Sequence, residues 1–113
     1  MNLHSIVHNV SDLAAAKAVQ AALLGVEPHT DQPYYVGFNV DGVEISLAPM
    51  RPGQAWAPPV ANWVTEDLDG AVARIVAAGA TLQGEPRQVA PGVRVALLHD
   101  QDGNPLGLIE RRD

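Results

Sequence analysis

The chain has 113 residues, of which 47% are hydrophobic and 18% charged, and its formal net charge at pH 7 is −6. This composition predicts one globular domain and excludes a disordered chain, and no apolar run is long enough for a transmembrane helix. The acidic balance argues against a nucleic-acid partner, which needs a basic face. Without cysteine there are no disulfides or thiolate metal sites, and without a signal-peptide pattern we expect a cytoplasmic protein with no membrane partner.

The first half of the chain predicts a strand, a helix and a hairpin. The β-branched, alternating segment LHSIVHNV favours a strand. Ser11 and Asp12 then offer a helix N-cap before LAAAKAVQAALL, and Gly25 ends the helix. A turn-rich segment, VEPHTDQP, precedes YYVGFNV and VEISLAP, two strands that Asp41 and Gly42 join as a hairpin.

The second half restarts the same plan after a proline-rich stretch, RPGQAWAPP, which predicts a linker or a pocket rim. The segment ANWV predicts a strand, and Glu66 and Asp67 cap a helix that ends at Gly79. The segment ATLQGEPRQVA predicts a short strand followed by a loop. The segments VRVALLHD and LGLIER predict the last two strands, with the turn DGNP between them.

The two halves share their order of features, because Asp12-Leu13 recurs as Asp67-Leu68 and Asp41-Gly42 as Asp102-Gly103. Two copies are too few for an open solenoid. We therefore expect one α+β domain over residues 1–113, with module one at about 1–50, a linker at about 51–59 and module two at about 60–113. Each module would contain a strand, a helix and two or three antiparallel strands.

Four stretches carry a resemblance over essentially the whole chain: VSDLAAAKAVQAALLGVEP, YYVGFNVDGVEISLAP, VTEDLDGAVARIVAAGATLQGEP and HDQDGNPLGLIER. They resemble the glyoxalase, bleomycin-resistance and extradiol dioxygenase superfamily, also called vicinal oxygen chelate proteins. The resemblance implies two βαβββ modules in one domain, with curled antiparallel and mixed sheets that enclose a cavity. It also implies a homodimer, which open sheet edges favour independently.

The resemblance further implies where enzymes of the superfamily hold a metal ion: in the opening strand and the closing strand of each module. In this sequence those positions are Ser5, Ser46, Val60 and Gly107. A hydroxyl is a poor ligand for a divalent metal, and valine and glycine offer no side-chain donor. We therefore expect no metal site and no cofactor.

The four histidines do not rebuild such a site in the predicted strands. His4 and His8 lie about 13 Å apart in an extended strand and on the opposite face from Ser5, so His8 is expected to be half-buried under the helix. His29 is expected to be solvated in a loop. His99 is expected to cap the turn that follows it rather than to reach the cavity.

Strand alternation places a set of side chains on the face of the sheets that the helices do not cover, which predicts a small-molecule site. The predicted ligand-binding residues are Ser5, Val7, Asn9, Tyr35, Asn39, Glu44, Ser46, Trp56, Val60, Asn62, Gly107 and Ile109, with Val64 beside them. Glu44 either pairs with a cationic ligand or flanks the hairpin in solvent. Trp56 is either a binding-site aromatic or an anchor of its loop, whereas Trp63 is expected in the core, and Glu66, Asp67 and Asp69 are expected to favour the positive end of the second helix.

Three functions remain compatible with this sequence. The first is a metal-independent binding protein of the bleomycin-resistance type that sequesters an aromatic or cationic small molecule. The second is a glyoxalase-like lyase, isomerase or dioxygenase-fold enzyme that acts on a small metabolite with unusual or no metal ligands. The third is a dimerising interaction module that has no ligand.

Overall fold

The computed structural model describes residues 1–112 as a mixed α+β fold of eight strands and two helices, and residue 113 lies outside the described part. The elements are β1 (Asn2–Val10), α1 (Leu13–Leu24), β2 (Thr30–Gln32), β3 (Tyr35–Val40), β4 (Val43–Pro49), β5 (Val60–Val64), α2 (Leu68–Ala77), β6 (Thr81–Ala90), β7 (Val93–His99) and β8 (Pro105–Arg111). They form two compact units, residues 5–59 and residues 60–112 together with 1–4. The α+β class predicted from the sequence is confirmed.

In the first unit β1 runs parallel to β4, while β3 lies antiparallel to β4 and to β2. The predicted hairpin between β3 and β4 is confirmed, since Asp41 and Gly42 both have positive φ angles, 52° and 85°. Two such residues make the turn whose twist matches the flanking strands. The sequence analysis missed β2, because its three residues lie in a segment dominated by turn formers.

Helix α1 begins and ends as its sequence predicts. The Asp12 carboxylate accepts a hydrogen bond from the Ala15 N–H at 3.0 Å, and Gly25 ends the helix in the left-handed conformation at φ 69°. Its inner side packs against a core of Val36, Phe38 and Leu47, which point from β3 and β4. The helix therefore covers one face of this sheet, and the opposite face carries the polar residues described below.

The second unit repeats this arrangement, with β5 parallel to β8 and with β7 antiparallel to both β8 and β6. The prediction for residues 80–90 was wrong, because the short strand and loop are one ten-residue strand, β6. This edge strand has two register shifts in its pairing with β7 and includes Pro86. Edge strands tolerate both features, since only one side of the backbone needs hydrogen bonds.

Helix α2 is held by a buried carboxylate that the sequence did not reveal. Asp67 caps the helix by accepting the Gly70 N–H at 3.0 Å. Glu110, only 2% exposed, accepts the Leu68 N–H at 2.7 Å and pairs with Arg94 Nε at 3.3 Å. Arg94 also reaches Asp69 at 3.1 Å. Asp69, predicted to act through the helix dipole alone, therefore has a specific ionic partner.

The prediction that Trp63 lies in the core was wrong, because its side chain is 38% exposed. Trp63 pairs with the buried Leu108 in the β5–β8 ladder. However, α2 packs mainly against β6, β7 and β8 and leaves β5 largely uncovered. The core of this unit is formed instead by Leu68, Ala71, Ala96, Leu98 and Leu108.

Neither helix within residues 1–112 has the length and the apolar character that crossing a membrane requires.

Candidate functional site

The uncovered face of the first unit brings together residues from three adjacent strands. In the parallel ladder Ser5 pairs with Glu44 and Val7 pairs with Ser46, and in the antiparallel ladder Asn39 pairs with Glu44. Paired residues point to the same side of a sheet. The register therefore gives one common face to seven residues predicted as ligand-binding: Ser5, Val7, Asn9, Tyr35, Asn39, Glu44 and Ser46.

Glu44 is the centre of a hydrogen-bonded cluster on this face. Its carboxylate accepts a hydrogen bond from the Tyr35 hydroxyl at 2.5 Å, and the His29 Nε2 lies 2.7 Å from one carboxylate oxygen and 2.9 Å from the other. The His29 Nδ1 lies 2.8 Å from the Thr30 hydroxyl. The Glu44 side chain is 21% exposed. The carboxylate is therefore not simply solvated beside the hairpin, and its pairing with a ligand stays a prediction.

Tyr35 connects Glu44 to Ser46. Its hydroxyl lies 2.9 Å from the Ser46 Oγ and donates to Glu44. Burial raises the pKa of Tyr35, and the hydrogen bond to Glu44 raises it further, because ionising the phenol would put a second negative charge beside the carboxylate. Tyr35 therefore keeps its proton near neutral pH and is the donor in its hydrogen bond to Glu44.

Gly37 makes this arrangement sterically possible. A Cβ at position 37 would collide with the Glu44 carboxylate and lie 2.8 Å from the Tyr35 ring. The position lies between Thr30 on β2 and Ser46 on β4. A side chain there would displace both Glu44 and Tyr35. Glycine is therefore needed at this position for close packing and not for an unusual φ angle. The sequence offered no signal for this role.

His29 lies in a loop and is exposed, as predicted, but the sequence did not reveal its hydrogen bond to Glu44. Its ring is 47% exposed but hydrogen-bonds to Glu44, and its backbone N–H donates to the Gly37 carbonyl at 2.9 Å. This backbone bond extends the pairing of β2 with β3 by one residue and brings the imidazole to the carboxylate. No local sequence pattern could reveal this contact, because His29 and Glu44 are far apart in the sequence and meet only in the folded chain.

The second unit presents a less polar face. In the β5–β8 ladder Asn62 pairs with Gly107 and Val64 with Ile109, so these four positions share one side. A Cβ at position 107 would collide with the Asn62 carboxamide and lie 3.1 Å from the Ala61 carbonyl oxygen. Asn62 therefore occupies the space that a side chain at 107 would need. Val60 begins the same strand two residues before Asn62.

The four positions at which enzymes of the resembled superfamily bind a metal do not fit a metal ion in this chain. The Ser46 hydroxyl is engaged with Tyr35, and Ser5 is only 4% exposed. Val60 has no donor atom, and the space at Gly107 is filled by Asn62. Across residues 1–112, no three histidine, aspartate or glutamate side chains are close enough to share an ion. We derive no chemistry through a metal.

The other three histidines lie away from Glu44. His8 pairs with Leu47 on the helix-covered side of the sheet, which agrees with the predicted position. The His4 Nε2 lies 2.9 Å from the Arg111 guanidinium. The prediction that His99 caps the following turn was wrong, because the Asp100 carboxylate accepts the N–H groups of Asp102 and Asn104 at 3.0 and 2.9 Å. These bonds need an acceptor directly at the start of the turn.

Trp56 does not join the cluster around Glu44. Its indole is 72% exposed and lines a cavity with residues of α1, and neither Glu44 nor Tyr35 lines that cavity. A loop anchor would be more deeply buried, so the alternative in which Trp56 holds its loop to the core has no support. Of the other predicted ligand-binding residues, Asn9 lines the same cavity.

Comparisons with known proteins agree on the fold. Residues 5–109 match the family model described as a glyoxalase-like domain. A glyoxalase/bleomycin resistance protein/dioxygenase superfamily member from Vibrio splendidus 12B01 superposes with a TM-score of 0.71 at 16% identity, covering 96% of this chain and 99% of that one. A structure described as NAD-dependent benzaldehyde dehydrogenase from Legionella pneumophila gives 0.71 at 14% identity, with 96% and 98% covered.

Methylmalonyl-CoA epimerase from Mycobacterium tuberculosis is also similar, with a TM-score of 0.65 at 19% identity and with 99% of this chain and 89% of that one covered. At such identities the likeness concerns the fold alone. No curated protein matches the sequence significantly.

Proposed function

Because the chain belongs to the family of glyoxalase-like domains, we propose that it is a metal-independent binding protein of the bleomycin-resistance type, with its ligand on the face that carries Glu44. The observation that supports this most is the half-buried Glu44 carboxylate, which Tyr35 and His29 hold by hydrogen bonds. The neighbouring strands carry aliphatic and hydroxyl-bearing side chains on the same face. A fixed carboxylate within a mixed polar and apolar face is typical of small-molecule sites. The ligand class is an aromatic molecule with a cationic group.

The preference for a cation follows from the acceptor positions that the Glu44 carboxylate has left. An ionised carboxylate offers about four acceptor positions on its two oxygens. Tyr35 uses one of them on Oε2, and a single N–H of His29 is shared between both oxygens. Oε1 therefore retains acceptor capacity. An ammonium or guanidinium group of a ligand can use it, and a charge-assisted bond of this kind is about twice as strong as a neutral one.

The preference for an aromatic group follows from the surface around Glu44. The Tyr35 ring lies beside Gly37, and Val7 pairs with Ser46 on the adjacent strand. The space above Gly37 is filled by the Tyr35 ring and the Glu44 carboxylate, so the tyrosine ring itself is the aromatic surface of this face. A planar ring of a ligand can pack against the accessible part of that ring, where aromatic pairs contribute about 0.5–1.5 kcal/mol beyond the area they bury.

The test is the substitution Glu44→Gln, measured against aromatic amines that are each paired with the neutral alcohol analogue. We expect amines to raise the melting temperature of the wild type and to bind Glu44→Gln at least about tenfold more weakly, because the bond to the charged acceptor is lost. The alcohols should bind both proteins equally. Calorimetry and thermal shift measure both effects.

The matched control is Glu27→Gln, which removes the same charge from an exposed residue of the same unit. Glu27→Gln should bind amines like the wild type. Equal losses in the two variants would mean that the net charge, rather than Glu44, attracts the ligand, and the proposed site would be wrong.

A second candidate function is proton transfer, and the chain of contacts from Thr30 through His29 to Glu44 favours it. A carboxylate oriented by a histidine can act as a general base toward a carbon acid. In such a reaction Glu44 would take a proton from the carbon next to a carbonyl group and return it to the same carbon. The product would be the exchanged or epimerised substrate.

Deuterium exchange distinguishes this function from binding alone. Small carbonyl compounds incubated with the protein in D2O would gain deuterium next to the carbonyl, as followed by NMR, and Glu44→Gln would abolish the gain. Saturable binding of a compound that has an exchangeable proton, without any such gain, would favour the binding protein.

We also propose a homodimer. The end strands β2 and β6 each leave one side of their backbone unpaired, and Val89 on β6 is 53% exposed. Such edges favour pairing with another chain. Multi-angle light scattering at micromolar concentrations should give twice the monomer mass of 11.9 kDa. The monomer mass across that range would contradict the proposal.

A further inference from the structure

The cavity that Trp56 lines lies in the unit of residues 5–59, beside α1 and on the other side of the sheet from Glu44. Its volume is about 420 Å³, and it is lined among others by His8, Ala16, Val19, Leu47, Met50 and Trp56. Strand alternation places it on the side of His8, which pairs with Leu47, whereas Ser5 and Val7 pair with Glu44 and Ser46 on the other side. A volume of this order suffices for a small organic molecule.

The lining combines aliphatic side chains with an exposed indole. Trp56 and Val19 are 72% and 65% exposed, so both leave apolar surface in water. Helix α1 contributes no fully buried residue, although its sequence is almost entirely apolar. A helix of that composition usually has apolar contacts on more than one side. An aromatic molecule between the helix and Trp56 would remove this apolar surface from water.

His8 differs from the other polar residues that line the cavity, which are Asn9, Ser11, Asp12 and Gln20. Its Nδ1 is buried, and residues 1–112 provide no hydrogen-bond partner for it. A buried polar atom of this kind destabilises the folded chain unless something outside the chain supplies the partner. The proton transfer proposed for Glu44 does not use His8. The cavity is therefore lined by apolar surface and by a histidine whose Nδ1 lacks a partner within residues 1–112.

These features select the class of ligand. The Nδ1 atom donates or accepts according to the tautomer, and a hydroxyl group satisfies either form because it can do both. Asp12 also lines the cavity, and its carboxylate would repel an anion. Its Oδ1 accepts the Ala15 N–H as the helix cap, and the positive end of the helix dipole balances part of its charge, which weakens its attraction for a cation. A neutral hydroxyl-bearing aromatic ring fits these conditions.

We propose that this cavity is a second binding site, which takes a neutral hydroxylated aromatic molecule with its ring against Trp56 and its hydroxyl group hydrogen-bonded to His8. The probes are 2-naphthol and 2-methylnaphthalene, which differ only in the group that can bond to His8. Amide chemical shifts in NMR spectra map the binding site, and titration gives the two dissociation constants.

We expect 2-naphthol to shift amide signals within residues 8–20 and 47–56, and His8→Phe to weaken it by about fivefold to tenfold, the value of one hydrogen bond. The affinity for 2-methylnaphthalene should change by less than about twofold. His8→Gln retains a polar group and should restore part of the preference for naphthol. Trp56→Ala should weaken both probes alike, whereas Trp63→Phe, the control in the other unit, should weaken neither.

Three results would overturn the proposal. The first is that His8→Phe weakens the binding of both probes equally, or weakens the binding of neither. The second is a set of shifts centred on Tyr35 and Ser46, which would assign the probes to the first site. The third is a set of shifts around Trp56 that follows protein concentration rather than probe, which would identify a second copy of the chain as the occupant.

Discussion

Replacing Glu110 with alanine should lower the melting temperature by more than about 10 °C, the largest loss that we expect from any single polar substitution in this protein. The carboxylate is 2% exposed and has three partners: the Leu68 N–H, Arg94 and Arg112. Its removal leaves a buried N–H without an acceptor, takes the carboxylate from Arg112 and leaves Arg94 paired with Asp69 alone. Thermal unfolding followed by circular dichroism measures the loss.

Two further variants separate charge from shape. Glu110→Gln keeps an acceptor for the Leu68 N–H but loses the negative charge, so its melting temperature should fall between those of the wild type and of Glu110→Ala. Glu85→Ala removes an exposed carboxylate from β6 and should have almost no effect. Similar melting temperatures for Glu110→Ala and Glu85→Ala would show that the buried pair contributes nothing.

The same residue predicts a dependence on pH. The Leu68 N–H lowers the pKa of Glu110, and Arg94 and Arg112 lower it further. An unfolded glutamate has a pKa of about 4.3, so between the two values the unfolded chain binds more protons than the folded one. The stabilisation is complete above this unfolded pKa and is lost as the pH falls through the lower, folded pKa. The gap in melting temperature between the wild type and Glu110→Gln should therefore shrink in acid.

Much of the fold could be predicted because the decisive signals are local. Asp12 and Asp67 cap their helices, and Asp41 with Gly42 forms the hairpin turn, each through contacts within a few residues. The period of two along β1 and β4 then determines which side chains share a face. The prediction of that face needed the register of neighbouring strands, and the hairpin and the resemblance supplied it.

What the sequence did not reveal depends on contacts between distant residues. His29 reaches Glu44 across 15 positions, and Glu110 reaches Leu68 across 42 positions. The role of Gly37 was missed because it depends on which side chains meet at that glycine. The exposure of Trp63 was missed because it depends on which strands the helix covers. Local patterns carry no information on any of these contacts.

The geometry of the Glu44 face predicts that two substitutions will create a metal site there. Ser5 pairs directly with Glu44, and Ser46 lies two residues further along β4 on the same face. In the variant Ser5→His with Ser46→His, two imidazoles would flank the carboxylate at neighbouring positions, about 5 and 7 Å away between Cβ atoms. Three protein donors of these kinds are the set found in catalytic zinc sites.

We expect the double variant to bind Zn²⁺ with a dissociation constant of about 1 µM, which corresponds to a binding free energy of about 8 kcal/mol. At a hundredfold excess over that constant, zinc should stabilise it by about 2.7 kcal/mol. The wild type, with hydroxyl groups at both positions, should gain nothing from zinc and lose nothing to a chelator. Calorimetry and melting curves with and without zinc measure both proteins.

The melting curves should be compared within each variant, because histidine at the buried position 5 has a packing cost that is the same with and without zinc. Adding Glu44→Gln to the double variant removes the third donor and should weaken zinc binding by about tenfold or more. The variant with alanine at positions 5 and 46 controls for changes in exposure. Failure of the double variant to bind zinc would mean that the three positions do not share a face, and the register on which the ligand site rests would be wrong.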